Sequence, residues 1–165
     1  MIKSRWWGAC CIAGDFLYAF CGYEAGYSPN DTIERLNAQQ SIEGRECNWE
    51  RFDRTPNDLR PLWGKKNCLG VAISPSEILI MGGHGNEGIV AILNTDDRRA
   101  YEHKRALHME GFPHHHFDFA CHGNQCRLGH DNETIFALIS TDLPSYHLIS
   151  YKLNDDFVTK ILDTD

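Results

Sequence analysis

One pattern recurs three times along this chain: an acidic residue followed by alternating apolar and aromatic residues. It reads Asp15-Phe-Leu-Tyr-Ala-Phe20, Glu77-Ile-Leu-Ile-Met-Gly82 and Glu133-Thr-Ile-Phe-Ala-Leu138, with starts 62 and 56 residues apart. A Leu-Asn dipeptide follows each run, at Leu36-Asn37, Leu93-Asn94 and Leu153-Asn154, spaced by 57 and 60 residues. Trp7-Gly8 and Trp63-Gly64, 56 residues apart, open the first two units. Three landmarks on one period mark an internal repeat, in which each unit is a supersecondary element that buries its apolar face against its neighbours.

Each unit reads as four short strands. The first has Gly8–Ile12, Phe16–Phe20, Thr32–Leu36 and Asn48–Phe52; the second has Cys68–Ile73, Ile78–Met81, Ile89–Leu93 and Ala100–Lys104. In the third, Phe117–Ala120 or Gln125–Leu128 precedes a turn near His130, and Thr134–Ile139, His147–Lys152 and Phe157–Ile161 follow. Runs rich in Ile, Val, Phe and Tyr between Gly, Pro, Asn, Asp and Ser turns are the strand and hairpin signature. No window sustains the i, i+3, i+4, i+7 apolar spacing of a helix. The expected class is all-β, with about four strands per unit, the content of one propeller blade.

At this point the chain resembles the kelch-repeat family over its whole length, residues 1–165, with units at about 5–54, 62–105 and 117–163. The repeat of that family, about 50 residues, has an apolar strand ending in a glycine doublet, then a long loop, a further strand and an outer-strand Trp. Gly82-Gly83 fits the doublet, and Cys21-Gly22 keeps its second member. Ile33–Asn37 and Val90–Asn94 fill the next strand. Trp49 matches the outer Trp, and Tyr101 takes its place in the second unit. The third unit departs, with Ile139-Ser140 at the doublet and Phe157 at the Trp position. The resemblance implies a partial β-propeller of kelch-like blades. Gly22, Trp49, Gly82, Gly83 and Tyr101 are its structural landmarks, the glycines admitting close backbone approach.

With 42% hydrophobic and 24% charged residues, the chain is that of an ordinary globular protein. A net charge of −7 and no Lys/Arg run longer than Lys65-Lys66 or Arg98-Arg99 argue against nucleic acid and against an anionic membrane surface as partners. Gly14 and Asp15 interrupt the N-terminal apolar stretch too early for a secretory signal. The seven cysteines read as reduced thiols, which points to a cytoplasmic location.

The segment His114–His130 is the one that invites a chemical reading. Its candidate metal ligands are His114, His116, Cys121, His122 and Cys126, but Cys121 and Cys126 are spaced Cys-x4-Cys, with no second ligand pair at zinc-finger spacing. No nucleophile elbow or paired-carboxylate motif is present. Gly82–Gly88 follows a strand and precedes a strand, whereas a phosphate loop opens a helix. The reading is therefore a non-enzyme without cofactor. A metal-binding domain or metal-dependent propeller enzyme built on residues 114–130 is the alternative.

The kelch resemblance implies a protein–protein interaction module, a scaffold or substrate-recognition part of a larger assembly. Its partner-binding loops gather on one face and here carry Tyr23, Glu24, Tyr27, Asn30 and Asp31 after the first doublet. His84, Asn86 and Glu87 follow the second, and Asp142 and Tyr146 occupy the third. Exposed Tyr, Asn and acidic side chains on rigidly held loops suit recognition. Three blades fall short of the roughly four to eight of a closed propeller, so the arc is expected to expose apolar surface at open ends near Trp6, Trp7 and Phe157–Leu162, and to associate through them.

Overall fold

Three strand-rich stretches each fold into a largely antiparallel sheet. The computed structural model describes residues 1–52, 62, 68–82, 90–104, 108–109, 129–130, 134–140, 146–152 and 157–164. The first sheet is a meander of β1 (Ala9–Ala13), β2 (Phe16–Phe20), β3 (Glu34–Asn37) and β4 (Glu50–Arg51), with helix α1 (Ala38–Ile42) between the last two. The second repeats the order with β5 (Cys68–Ser74), β6 (Glu77–Gly82), β7 (Val90–Asn94) and β8 (Arg99–Lys104). The third comprises β9 (His108–Met109), β10 (Gly129–His130), β11 (Thr134–Ser140), β12 (Tyr146–Lys152) and β13 (Phe157–Thr164), in the order β10-β11-β12-β13-β9. The protein is all-β apart from the short helix among the described residues.

Three local expectations change. The helix occupies a stretch read as a connector: the Asn37 side chain accepts the Gln40 N–H at 2.8 Å, which caps one turn of good helix formers. The third sheet has five strands, because β9, expected as loop, pairs in parallel with the edge of β13; an open strand edge is a row of unpaired N–H and C=O groups that recruits such a segment. The strand beside β11 is Gly129–His130, where a turn was expected. The proposed strands at Phe117–Ala120 and Gln125–Leu128 lie outside the described residues.

Pairing registers match residue for residue between β2–β3 of the first sheet and β6–β7 of the second. Phe16 pairs with Asn37, and Glu77 with Asn94. Just outside, the Ala38 N–H donates to the Asp15 carbonyl and the Thr95 N–H to the Ser76 carbonyl, each at 2.8 Å. Asn94 then accepts the N–H groups of Asp96 and Asp97 (3.0 and 2.9 Å), as Asn37 accepts that of Gln40. The repeated Asn therefore caps the turn after the third strand of the first two units. The acidic landmark is out of step by one residue: Asp15 sits in the turn, whereas Glu77 opens a strand.

Register also splits each strand into two faces. On one face of the first sheet lie Cys11, Ala13, Phe16, Tyr18 and Phe20; on the facing side of the second lie Cys68, Gly70, Ala72, Ile78, Ile80, Ala91 and Leu93. These two faces, with Ile33, Phe52, Leu62 and Ala100, form one core. β1 packs across β5. The absence of a side chain at Gly70 makes room for the Phe20 ring, into which a Cβ there would drive, while meeting the Cys11 Cβ at 3.4 Å. At the outer end the Phe52 ring stands edge-on to Tyr18, with centroids 5.1 Å apart. The Arg98 guanidinium, from the β7–β8 turn, lies 5.3 Å from the Phe52 ring centroid. Phe52, fully buried, thus packs between Tyr18 of the first sheet and Arg98 of the second. Trp49 precedes β4 and is only half-buried. Tyr101 lies opposite Ile92, in register with Glu50 rather than Trp49, and is 45% exposed.

Candidate functional site

The residues ahead of β1 are clasped onto the loop that joins β2 to β3. Trp6 and Tyr23 exchange backbone hydrogen bonds of 2.8 and 2.9 Å. Lower down, Glu34, on β3, accepts the N–H groups of Ile2 (2.6 Å) and Lys3 (2.9 Å) and a bond from the Arg5 guanidinium (3.1 Å). The Arg5 and Glu34 side chains are 3% and 1% exposed, so the ion pair is shut off from water. Arg5 also donates to the Cys21 carbonyl (3.1 Å) and to Thr32 Oγ1 (3.0 Å), tying the start of the loop to its end.

Gly22 is the pivot of this clasp. Its φ of +86° is one that L side chains rarely adopt, and a Cβ there would lie 2.6 Å from the Trp6 carbonyl oxygen and 2.8 Å from the Gly8 backbone. Glycine at position 22 is thus required by the close backbone approach. Cys21, at the first position, takes φ +56° without being glycine.

Past the pivot the loop tightens. The Glu24 N–H donates to the Ser28 carbonyl (2.8 Å) and the Tyr27 N–H to the Glu24 carbonyl (3.1 Å), with Gly26 and Tyr27 both at positive φ. This turn lifts the Tyr27 ring beside Trp6 and Trp7. Ring centroids are 6.2 Å apart for Trp6–Tyr27, 6.1 Å for Trp7–Tyr27 and 6.4 Å for Trp6–Trp7. The three side chains are nonetheless 51%, 41% and 66% exposed for Trp6, Trp7 and Tyr27. Trp7 holds φ +54°, a costly conformation for a bulky residue and one that collects at binding sites. Beside the rings, the Lys3 ammonium bonds Glu24 (2.7 Å) and reaches Asp31 (3.5 Å). The hydrogen bond to Glu24, partly opposed by burial and aided by the two carboxylate charges, raises the Lys3 pKa above its ordinary value.

The sequence-predicted binding residues divide accordingly. Tyr27 packs with Trp6 and Trp7 in the exposed cluster, Tyr23 is joined to Trp6 through the backbone, and Glu24 and Asp31 share the Lys3 ammonium. Asn30 is buried: its N–H donates to the Gly22 carbonyl (2.9 Å), and its side-chain oxygen accepts from the Thr32 N–H and hydroxyl (3.0 and 2.7 Å), so it holds the loop's shape instead of meeting a partner. Tyr146, expected in a loop, is the first residue of β12, paired with Ser140 and Thr164. His84, Asn86, Glu87, Gly83 and Asp142 lie outside the described residues, as do His114, His116, Cys121, His122 and Cys126. Among the described residues there is no cluster of three His, Cys, Asp or Glu side chains arranged to hold a metal. No helix of the described residues is long and apolar enough to cross a membrane. Trp6 and Trp7, read from sequence as residues near an open end, form an exposed aromatic cluster with Tyr27. The signal was a Trp pair just ahead of β1 and a Tyr in the loop between β2 and β3.

The chain matches no known protein-family model, and no curated protein matches it in sequence.

Proposed function

We propose that this chain is a non-catalytic, kelch-type interaction module, its sheets the blades of a β-propeller, and that it binds a protein partner through Trp6, Trp7 and Tyr27. The observation that carries the reading is the exposure of three mutually packed aromatic side chains on a backbone that holds them out at energetic cost. Trp and Tyr contribute large rigid contact area and dominate binding hot spots. Tyr23, Glu24 and Asp31 form the polar rim such a centre needs. The blade reading is supported by the shared register of the first two sheets, by their face-to-face packing and by the glycine required at the end of β2.

The test compares the wild-type chain with a Trp6→Ala/Trp7→Ala/Tyr27→Ala variant. Immobilised wild type is expected to capture a defined partner protein, and the variant to bind that partner at least about a hundredfold more weakly, a loss on the scale of one hot-spot residue. Its circular dichroism should be unchanged. Equal affinity in the two proteins would remove the aromatic cluster from the interface. Elemental analysis of the same preparations addresses the metal-dependent alternative: one tightly held zinc or copper ion per chain, lost in Cys121→Ala, would favour that reading over this one.

A further inference from the structure

The backbone beneath the exposed aromatic cluster is already engaged. Trp6 exchanges both of its hydrogen bonds with Tyr23, the Glu24 N–H donates to the Ser28 carbonyl, and the Tyr27 N–H donates to the Glu24 carbonyl. Those groups are closed to an added strand, the recognition mode that runs on main-chain bonding. The side chains are open. Neither the Trp6 indole N–H nor the Tyr27 hydroxyl bonds to any described residue, and the two side chains are 51% and 66% exposed. A ligand seated on these rings must bring acceptors for the two donors, because a donor covered without a partner costs binding energy.

Ring geometry and charge narrow the choice of ligand. Trp6 stands nearly perpendicular to Trp7 and to Tyr27, at 85° and 75°, so the rings make ridges with slots between them. Their centroids lie 6.1–6.4 Å apart. A polyproline II helix, rising about 3.1 Å per residue, advances about 6 Å over two residues. Such a helix has no internal hydrogen bonds, so its carbonyls are free to accept from Trp and Tyr, and its proline rings seat between aromatic side chains. In the loop that carries Tyr27, the two carboxylates of Glu24 and Asp31 outweigh the single charge of Lys3, and the Asp31 side chain is 49% exposed. That excess is complementary to a cation in the partner, in keeping with the net charge of −7 on the whole chain.

We propose that the Trp6–Trp7–Tyr27 cluster receives a proline-rich segment of its partner in the polyproline II conformation, oriented by a Lys or Arg of that segment at Glu24 and Asp31. Prolines lie across the rings, carbonyls of the segment take the Trp6 and Tyr27 donors, and the basic residue meets the excess carboxylate charge. A segment already extended in solution gives up little conformational freedom on binding, which lets a small exposed platform hold it. The inference rests on the protein-binding reading of the cluster and is independent of the blade reading of the sheets.

Selection from a displayed library of random peptides on the immobilised full chain tests it, with the Trp6→Ala/Trp7→Ala/Tyr27→Ala variant as the counter-screen. The recovered peptides are expected to be rich in proline, to carry a flanking Lys or Arg, and to bind the triple variant at least about tenfold more weakly. In a recovered peptide, glycine in place of the prolines should weaken binding at least about tenfold, through lost pre-organisation. Asp31→Asn should weaken it about two- to fivefold, the scale of an exposed charge pair, and flatten its salt dependence. That variant leaves the rings and the sheet in place, so it decides even where the triple variant fails to fold, and an unchanged affinity and salt dependence would overturn the proposal. Peptides that need the three rings but show no preference for proline would also overturn it, while leaving the protein-binding reading standing. Peptides that bind the triple variant equally well would defeat both readings, and a library that yields no binder would overturn this one.

Discussion

Replacing Glu34 with alanine is expected to destabilise the protein by about 3–5 kcal/mol, the usual consequence of removing one member of a buried ion pair. The cost does not come mainly from lost attraction. It comes from the Arg5 guanidinium, 3% exposed, left in the interior without its counter-charge, and from the Ile2 and Lys3 N–H groups that lose their acceptor. The equivalent position of the second sheet is Ala91, also buried, so alanine itself fits the strand and the loss is specific to the ion pair. Glu34→Gln, which keeps an acceptor but no charge, should fall between alanine and wild type. Urea denaturation measures the three proteins, and limited proteolysis reads the release of the N-terminal segment. A Glu34→Ala protein within about half a kcal/mol of wild type, the range of ordinary surface substitutions, would show that the clasp contributes nothing to stability. Because the same segment carries Trp6 and Trp7, loss of the clasp should also weaken partner capture.

Glu34 marks a limit of what the amino-acid order reveals. A glutamate in the strand Glu34–Asn37 reads as a solvent-facing residue, and its burial depends on partners 29 to 32 residues away in sequence. Local pattern carries no record of such a pairing. The strands themselves were legible because their signals are local: apolar alternation over five to seven residues, broken by Gly14-Asp15 or Pro75-Ser76. Leu-Asn was legible as a landmark before its cause was, since the Asn caps a turn in both sheets. The helix Ala38–Ile42 was missed because its apolar periodicity is too short to register, although the Asn37 cap was in view. Trp49 drew attention through its size, yet strand register puts Phe52 in the core and leaves Trp49 half-buried. Of the candidate site, Tyr27 was legible as a loop aromatic. Its convergence with Trp6 and Trp7 needed the backbone exchange between Trp6 and Tyr23, again a pairing distant in sequence.

The packing of the first two sheets makes the second large prediction. Phe20 is fully buried and its ring fills the space above Gly70. Phe20→Ala should cost about 3–5 kcal/mol, from lost burial and from the cavity left behind. Gly70→Ala should cost about 1–3 kcal/mol for the opposite reason, overpacking, since its methyl group would drive into the Phe20 ring. The two substitutions occupy the same space, so their effects cannot add. In the Phe20→Ala background the Gly70 methyl has room, and it also removes the entropic cost of a glycine in a strand. Gly70→Ala should then be neutral or stabilising, and the double variant no less stable than Phe20→Ala alone. Chemical denaturation of the four proteins closes the cycle. If the single effects simply sum, the ring and the glycine do not share a cavity, and the face-to-face packing of the two sheets through Phe20 is wrong. A coupling of 1 kcal/mol or more, within the range for residues in contact, would tie β2 of the first sheet to β5 of the second, the contact on which the blade reading depends.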